Sequence, residues 1–340
     1  MKHILVTGGT GYIGSHTVVE LFDAGYEPIL IDDFSNSTPE FLSWLENLCG
    51  RPVIFRQGSC CDKSFLQGVF REFEISSVIH FAAYKAVGES VDDPGKYYHN
   101  NITGLLNVMD VMEEFQVEQL IFSSSCTVYG EPEGSSTVFE NSPLGTPSSP
   151  YGWTKWMNEQ IIRDYVVKGK LKAILLRYFN PVGAHKSGLI GELPVGRPNN
   201  IVPFITQTAI GLREELVVFG NNYNTADGTC IRDYVHVTDI AKAHIAALGY
   251  AGNENPAAFN LGTGKGTSVL ELITLFEEIS GKKLNWSYGP RRAGDIPEIY
   301  ANTDKAKSEL HWQTTLTVKD ALKDSWRWEQ NRKQDESSTL

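Results

Sequence analysis

A chain of 340 residues with 41% hydrophobic content is long enough for one large core or two domains, and its formal net charge of −11 disfavours general binding to nucleic acid or membrane surfaces while leaving room for a local basic site. No apolar run approaches the ~20 residues of a membrane span, and an apolar strand stands where a signal peptide would begin, so a cytoplasmic protein is expected. The five cysteines, Cys49, Cys60, Cys61, Cys126 and Cys230, are odd in number and lack metal-ligand spacing; free thiols and no metal are expected, with a vicinal Cys60–Cys61 disulfide as the alternative.

The first predicted element is an apolar strand over residues 4–6. It runs into Thr7-Gly8-Gly9-Thr10-Gly11-Tyr12-Ile13-Gly14, and from residue 12 to 25 the apolar positions take helical spacing. Strand, glycine turn and helix together bring backbone N–H groups and the positive end of a helix towards a pyrophosphate. Two spacings fit, Gly9-x-Gly11-x-x-Gly14 and Gly8-x-x-Gly11-x-x-Gly14, and an ordinary glycine-rich turn would satisfy the pattern as well. A second strand over residues 28–31 ends in Asp32-Asp33, about 20 residues beyond the glycines, where a dinucleotide fold places an acid on the adenosine ribose. Asp32 is the expected ribose ligand. Two adjacent carboxylates without a nearby arginine would repel a 2′-phosphate, which favours NAD over NADP.

Further apolar strands are predicted at 52–56, 77–81 and 119–123, separated by helices at 38–49, 62–73 and 92–115. This alternation predicts an α/β fold with a doubly wound parallel sheet of the Rossmann type. Ligands in such sheets bind outside the carboxyl ends of the strands. At those ends stand His80-Phe81-Ala82-Ala83-Tyr84-Lys85 and Ser123-Ser124-Ser125-Cys126-Thr127-Val128-Tyr129-Gly130. Residues 131–150 read as a surface loop, and a helix begins at Tyr151, which puts Tyr151 and Lys155 on one helical face. With 14 tyrosines a Tyr-x-x-x-Lys arises by chance, so its position after a strand ending in serines is what counts.

A sixth strand is predicted at 172–178, after which Phe179-Asn180-Pro181-Val182-Gly183 leaves the sheet. Frequent glycine, proline and asparagine up to about residue 230 then suggest a second, smaller α/β domain with a helix at 201–212. The expected division is 1–180 for the dinucleotide domain and 181–340 mainly for the substrate domain, with segments near 231–262 returning to the first. Residues 231–237 carry partial strand alternation and 239–250 an amphipathic helix. Phe259-Asn260-Leu261-Gly262-Thr263-Gly264 looks like another phosphate loop but is read as a plain turn into a helix at 268–280. Arg291 and Arg292 place two guanidinium groups in a loop, suited to bidentate phosphate contact or simply solvated. A last helix at 318–333 carries Trp326 and Trp328, the polar tail after Gln334 is expected to be disordered, and no internal repeat is visible.

Together, the glycine fingerprint, Ser125 in its serine run, Tyr151-x-x-x-Lys155 and Asn260-Leu-Gly-Thr-Gly264 resemble the extended short-chain dehydrogenase/reductase family. The runs Lys85-Ala-Val-Gly-Glu-Ser90, Leu176-Arg-Tyr-Phe-Asn-Pro-Val-Gly-Ala-His185, Asp227-Gly-Thr-x-x-Arg-Asp-Tyr234 and Arg291-Arg-x-Gly-Asp295 are similar to its UDP-sugar 4-epimerase branch, and the likeness covers nearly the whole chain. The resemblance implies reversible C4 epimerisation of UDP-galactose and UDP-glucose, a step of galactose metabolism, through a 4-keto sugar and a resident NAD. Tyr151 is then the base for the 4-hydroxyl proton, and Ser125 holds that hydroxyl and relays its proton. Lys155 and the positive nicotinamide lower the Tyr151 pKa; an ordinary phenol at about 10 must fall by about three units, ~4 kcal/mol, to work near pH 7.

On the cofactor side the resemblance implies contacts from Gly8, Gly11, Tyr12, Ile13 and Gly14 in the turn, and from Asp32, Asp33, Asn36 and Ser37 after the second strand. Ser59 and Cys60 follow the third strand, Phe81, Ala82 and Lys85 the fourth; Asn100, Ser125, Tyr151, Lys155, Tyr178 and Phe179 complete the set. On the substrate side it implies Lys85, Ser125, Tyr151, Asn180 and Asn200, then Val218, Phe219, Arg232, Arg292, Asp295 and Ile299. A homodimer through the helices at 92–115 and 151–168 is also implied. Sibling dehydratases carry an Asp-Glu pair where this chain has Thr127-Val128-Tyr129, and uronic-acid decarboxylases and epimerases need a cationic site for the C6 carboxylate that the sequence does not identify. A non-catalytic NAD-binding regulator would have little reason to keep both Tyr151 and Lys155. Two positions depart from the family pattern. Ser59 stands where an acid usually meets the adenine amino group, and Ile299, intermediate in bulk, stands at the position that gates N-acetylated sugars.

Overall fold

The computed structural model describes residues 2–338 apart from Glu133, Ala293 and Gly294, with side chains through Lys333. In chain order β1 (His3–Thr7) leads through the glycine turn to α1 (Tyr12–Asp23), followed by β2 (Glu27–Asp32), α2 (Glu40–Cys49), β3 (Ile54–Gln57), α3 (Lys63–Glu72), β4 (Ile75–His80), α4 (Val87–Asp92), α5 (Pro94–Glu114) and β5 (Gln119–Ser125). A 3₁₀ turn, Cys126–Tyr129, precedes β6 (Thr137–Val138), α6 (Pro150–Lys168), β7 (Lys172–Tyr178), β8 (Asn180–Val182), α7 (Ile201–Ala209) and β9 (Leu216–Phe219). The remainder is β10 (Ile231–Arg232), β11 (Tyr234–His236), α8 (Val237–Leu248), β12 (Ala257–Leu261), β13 (Thr267–Ser268), α9 (Val269–Ser280), β14 (Trp286–Gly289), β15 (Glu298–Ala301), α10 (Asp304–Glu309) and α11 (Val318–Ser338).

Seven strands form one parallel sheet in the order β12-β7-β5-β4-β1-β2-β3. Its strands are apolar on both faces because helices cover both. Ile4, Val6, Leu30, Ile121 and Leu176 belong to a core with α1, α2 and α8. Their strand neighbours Leu5, Ile31, Leu120, Phe122 and Leu175 point the other way, into a core with α3, α5 and α6. The winding goes out from β1 to β3 and then restarts at β4 on the other side of β1. That reversal opens a crevice at the carboxyl ends of β1 and β4.

The second lobe holds a four-stranded sheet in the order β13-β10-β15-β6 and a core in which Val202 and Ile205 of α7, Leu272 and Phe276 of α9 and Leu322 of α11 are buried. The chain recrosses between lobes: β11 pairs with β8, α8 packs on the first sheet's core, and β12 is that sheet's edge strand. All five cysteines are free thiols. Among the described residues no helix is long and apolar enough to cross a membrane.

Several local expectations need correction. The strand expected over residues 231–237 is two short strands broken at Asp233, because that carboxylate is fully buried and draws backbone groups from elsewhere around itself. The loop expected over 131–150 contains β6, which pairs with distant β15. Two short strands, β8 and β9, were hidden in stretches rich in glycine, proline and asparagine. The helix expected at 92–115 is α5, and the short α4 before it was not expected; Asp93 separates the two and caps the second through Lys96 N at 3.1 Å, and Pro94 supplies its first turn. The tail expected to be disordered after Gln334 continues as helix α11 to Ser338, and its last two residues lie outside the described ones. Ala293 and Gly294 of the Arg291–Asp295 run also lie outside them.

Candidate active site

The glycine turn resolves the two competing spacings. Gly8 takes φ +68°, a left-handed conformation suited to glycine, and a side chain on Gly14 would put its Cβ 2.2 Å from the Gly8 carbonyl oxygen. Gly9 instead packs over Leu30 and does not reach the crevice. Gly8-x-x-Gly11-x-x-Gly14 is therefore the spacing that faces it. Gly11 caps α1 without a side-chain bond, and the first turn of α1 carries no acid, which leaves this positive helix end open to an anion. The second glycine loop behaves differently. The Asp233 carboxylate already accepts Thr263 N at 2.7 Å, Thr263 Oγ1 at 2.7 Å and Gly264 N at 2.9 Å, an internal anion that closes the loop to any other.

Every residue expected on the cofactor side lines one continuous cavity at the crevice: the turn residues, Asp32, Asp33, Asn36, Ser37, Ser59, Cys60, Phe81, Ala82, Lys85, Asn100, Ser125, Tyr151, Lys155, Tyr178 and Phe179. At one end, Asp32 is held by Thr10 N at 3.3 Å, Phe34 N at 3.0 Å and the Ser37 hydroxyl at 3.1 Å, so its position is fixed from both sides. Ser59 accepts Cys61 N at 3.3 Å, while Asp62, the nearest acid, is turned away to cap α3 through Phe65 N. Ser59 is thus the side chain that faces the cavity where the family pattern has an acid.

At the other end Tyr151 sits in the first turn of α6, which Ser149 caps through Gly152 N at 3.2 Å and Pro150 starts. Lys155, 4% exposed, donates to the Ser123 carbonyl at 2.5 Å and lies 5.0 Å from the Phe122 ring centre. Burial pushes Tyr151 up to about 12; the Ser125 hydroxyl bond lowers it and the Cys126 thiol raises it. Burial also brings Lys155 down to about 7, against a raising effect from Glu159. The protein alone therefore leaves Tyr151 a neutral phenol at pH 7. The loop after β4 is clamped by Asn101, whose side chain bonds both Tyr84 N at 2.9 Å and Tyr84 O at 3.0 Å and also Thr154 of α6 at 3.1 Å. Phe81 and Tyr178 are braced by His244, 4.7 Å from the first ring and bonded at 2.6 Å to the second's hydroxyl.

The substrate-side residues divide. Lys85, Ser125, Tyr151, Asn180 and Asn200 line the cavity, whereas Val218, Phe219, Arg232, Arg292, Asp295 and Ile299 stand off it in the second lobe. Four of these form a cluster: Asp295 takes Arg292 at 2.7 Å and Arg232 at 3.5 Å, and Arg292 lies 6.0 Å from the Phe219 ring centre. Val218 is buried and Phe219 exposed at successive positions of β9, and Ile299 pairs with Arg232 across β15 and β10 and is buried against Tyr129 and Phe179 in one apolar cluster. Arg291 is engaged elsewhere, bonded to Asn222 and stacked 4.1 Å over Tyr223.

Sequence reasoning missed a buried charged pair one helical turn beyond Lys155. Glu159 and Arg177, 0% and 1% exposed, bond through Nη2–Oε2 at 2.7 Å and Nε–Oε1 at 2.9 Å. Ser124 donates to Glu159 at 2.6 Å, and Arg177 reaches Tyr129, which reaches Asn260. The available signal was an arginine inside an otherwise apolar strand, with a glutamate one turn beyond Lys155 on the same helical face. Also missed were Cys126 and Thr127, which line the cavity beside Ser125, and Glu192, which binds Lys85.

Comparison with known proteins agrees with this geometry. The profile described as the NAD dependent epimerase/dehydratase family matches residues 4–262. The chain is 50% identical over 328 residues to the UDP-glucose 4-epimerase of Bacillus subtilis, covering 96% of each chain. It is 48% identical over 336 residues to the human UDP-glucose 4-epimerase, again covering 96% of each. A crystal structure of the Bifidobacterium longum UDP-glucose 4-epimerase in complex with NAD+ and UDP superposes with a TM-score of 0.95 at 44% identity, covering 98% of this chain and 99% of that one. With the glycine cradle, the Tyr151–Lys155 face and full-length similarity in agreement, the chain belongs to the NAD dependent epimerase/dehydratase family.

Proposed function

We propose that this chain interconverts UDP-galactose and UDP-glucose by inverting C4, with NAD held as a resident cofactor. One observation carries the reading: Ser125, Tyr151 and Lys155 open into the same cavity as the uncapped glycine turn of α1 and Asp32. The named activity of the relatives and the NAD+ and UDP of the Bifidobacterium structure support it. NAD, when bound, takes up the C4 hydrogen with its two electrons and gives them back, so the overall reaction is redox-neutral.

The residues' own part follows from their chemistry. Gly8, Gly11 and Gly14 admit the pyrophosphate to the backbone, and Asp32 accepts the ribose hydroxyls. Ser125 holds the sugar's 4-hydroxyl against Tyr151, which removes its proton. Lys155 favours the phenolate because an ammonium in a dehydrated site lowers a neighbouring phenol's pKa far more than it would in water. The ketone left at C4 is planar, so the face from which the hydrogen returns decides the product. Asn180 and Asn200 bind the diphosphate end within the cavity. Arg232 and Arg292 share Asp295, keep one net positive charge, and present planar donors suited to phosphate beside the Phe219 ring.

Dehydration is disfavoured by a specific absence. Among the described residues lining the cavity the carboxylates are Asp32 and Asp33, at the adenosine end, and none stands by Thr127 to serve an elimination. The test is to incubate purified protein with UDP-galactose and no added NAD. UDP-glucose should accumulate to equilibrium; a dehydrated product, or no turnover even with NAD supplied, would sink the reading.

We read the molecule as a cytoplasmic homodimer paired through α5 and α6, which pack on each other through Tyr165–Asp110 at 2.7 Å and leave Val167 86% exposed. Five free thiols suit a reducing compartment. Sedimentation equilibrium should give twice the 37.8 kDa chain mass, and a monomer at micromolar concentration would refute the pairing.

A further inference from the structure

A strap over residues 190–199 borders the glycine turn. Its start is pinned: His185 N donates to Ile190 O at 3.0 Å, Ala184 and Gly191 form an antiparallel bridge, and the Trp328 indole donates to Glu192 O at 3.2 Å. Trp328 is itself set edge-on to Trp44 of α2 at 5.3 Å. Beyond Glu192 the strap runs as Leu193, Pro194, Val195, Arg197 and Asn199 along one wall of a second, smaller cavity. The same cavity is lined by Thr10, Gly11, Tyr12, Asn36 and Ser37. Gly11, Tyr12, Asn36 and Ser37 also line the main cavity, so the strap adjoins the stretch where the dinucleotide's pyrophosphate and adenosine ribose would rest.

One side chain joins the strap to both lobes. Glu192 Oε1 accepts Lys85 Nζ at 2.9 Å, from the loop after β4, and Asn200 Nδ2 at 2.6 Å, from the start of α7. Its side chain is 11% exposed and Lys85's is 43%, so the pair is more protected than an ordinary surface bridge. Lys85 also lies 5.5 Å from the ring centre of Tyr12, whose hydroxyl donates to Gly183 O at 2.6 Å at the strap's approach. Asn200 Nδ2 gives one hydrogen bond to Glu192, and the Asn200 side chain makes no cap on α7. Glu192 thus fixes two cavity-lining polar groups, one from each lobe, through a single oxygen.

We propose that Glu192 is a positioning residue that keeps the strap closed over the bound dinucleotide, so that its main effect is on cofactor retention. This rests on the reading that NAD is resident. Closure by a charge-assisted pair leaves the glycine turn's own contacts unchanged while removing the route by which the cofactor leaves, so its loss acts on dissociation.

The test uses the holoenzyme. Bound NAD is released in the presence of a large excess of an NAD-consuming trap, and the time course is followed for the unsubstituted protein, Glu192→Gln and Glu192→Asp. Glu192→Gln keeps an acceptor for Asn200 but loses the pair with Lys85, and should release NAD at least tenfold faster. Glu192→Asp, which keeps the charge, should recover most of the retention. The melting temperature of the nucleotide-free chain should stay level across the three. Release from Glu192→Gln at the unsubstituted rate would overturn the proposal, and so would a matching loss of nucleotide-free stability. Unsubstituted protein that holds no NAD would overturn the resident-cofactor reading together with this inference, and would be recognised before any variant is compared.

Discussion

Tyr151→Phe is expected to retain bound NAD and to interconvert UDP-galactose and UDP-glucose about 10²–10⁴-fold more slowly than the unsubstituted protein, the range associated with losing a positioned acid–base group. The substitution removes one oxygen and leaves the ring in the first turn of α6, whose start is fixed by Ser149 and Pro150. None of the groups proposed to hold the cofactor's phosphates or ribose is bonded to that oxygen: the glycine turn, Asp32 with its three donors, and the Lys85 loop clamped by Asn101 are held by other partners. Chemistry and binding should therefore separate. The phenol is also the group with the most to lose, because burial holds it up at about 12 and only positive charge brought against it makes it a base at neutral pH. A coupled assay for UDP-glucose, together with the nucleotide absorbance of the purified variant, reads both properties. Turnover at the unsubstituted rate would remove Tyr151 from the mechanism, and loss of bound NAD would show that the phenol serves binding.

How much of this was legible before the fold was known depends on distance along the chain. The glycine turn, the Asp32 acid and the Tyr151–Lys155 face are each local patterns, set by a strand end or a single helical turn, and each sits where its pattern placed it. Which glycine did which job was not legible, since that depends on Gly14 meeting the Gly8 carbonyl and Gly9 meeting Leu30. Asp233 shows the same limit from the other side: its sequence neighbours read as one strand, and only the approach of Thr263, Gly264 and Ala301 explains the break. Glu192 and Lys85 are 107 positions apart, and no periodicity connects them. Short strands such as β6 and β15 exist because they pair with each other, so their own composition carries little of the signal.

Glu159→Gln should cost about 3–5 kcal/mol of stability, the effect of leaving one member of a buried ion pair without its partner. Both side chains are essentially inaccessible to water, so the stranded Arg177 guanidinium cannot be resolvated in place. Gln can still accept one hydrogen bond from Arg177 or Ser124, but it returns none of the charge. Replacing the pair together, as Glu159→Met with Arg177→Met, removes the stranded charge and should restore most of the melting temperature, the residual cost being one lost partner each for the Ser124 hydroxyl, the Tyr129 hydroxyl and the Glu140 carbonyl. Activity should not follow stability back. Glu159 is the carboxylate that raises Lys155 against the burial that brings it down to about 7, so without it the lysine's pKa falls further. A group with a lower pKa loses its proton at a lower pH. The rate limb that requires the ammonium should therefore move to more acid pH in the double variant, and the rate at neutral pH should stay depressed. Thermal unfolding and a pH–rate profile on the same preparation separate the two effects. A double variant restored in both would make the pair a packing device alone, whereas restored stability with a displaced limb would show that this buried charge sets the protonation of the catalytic helix face.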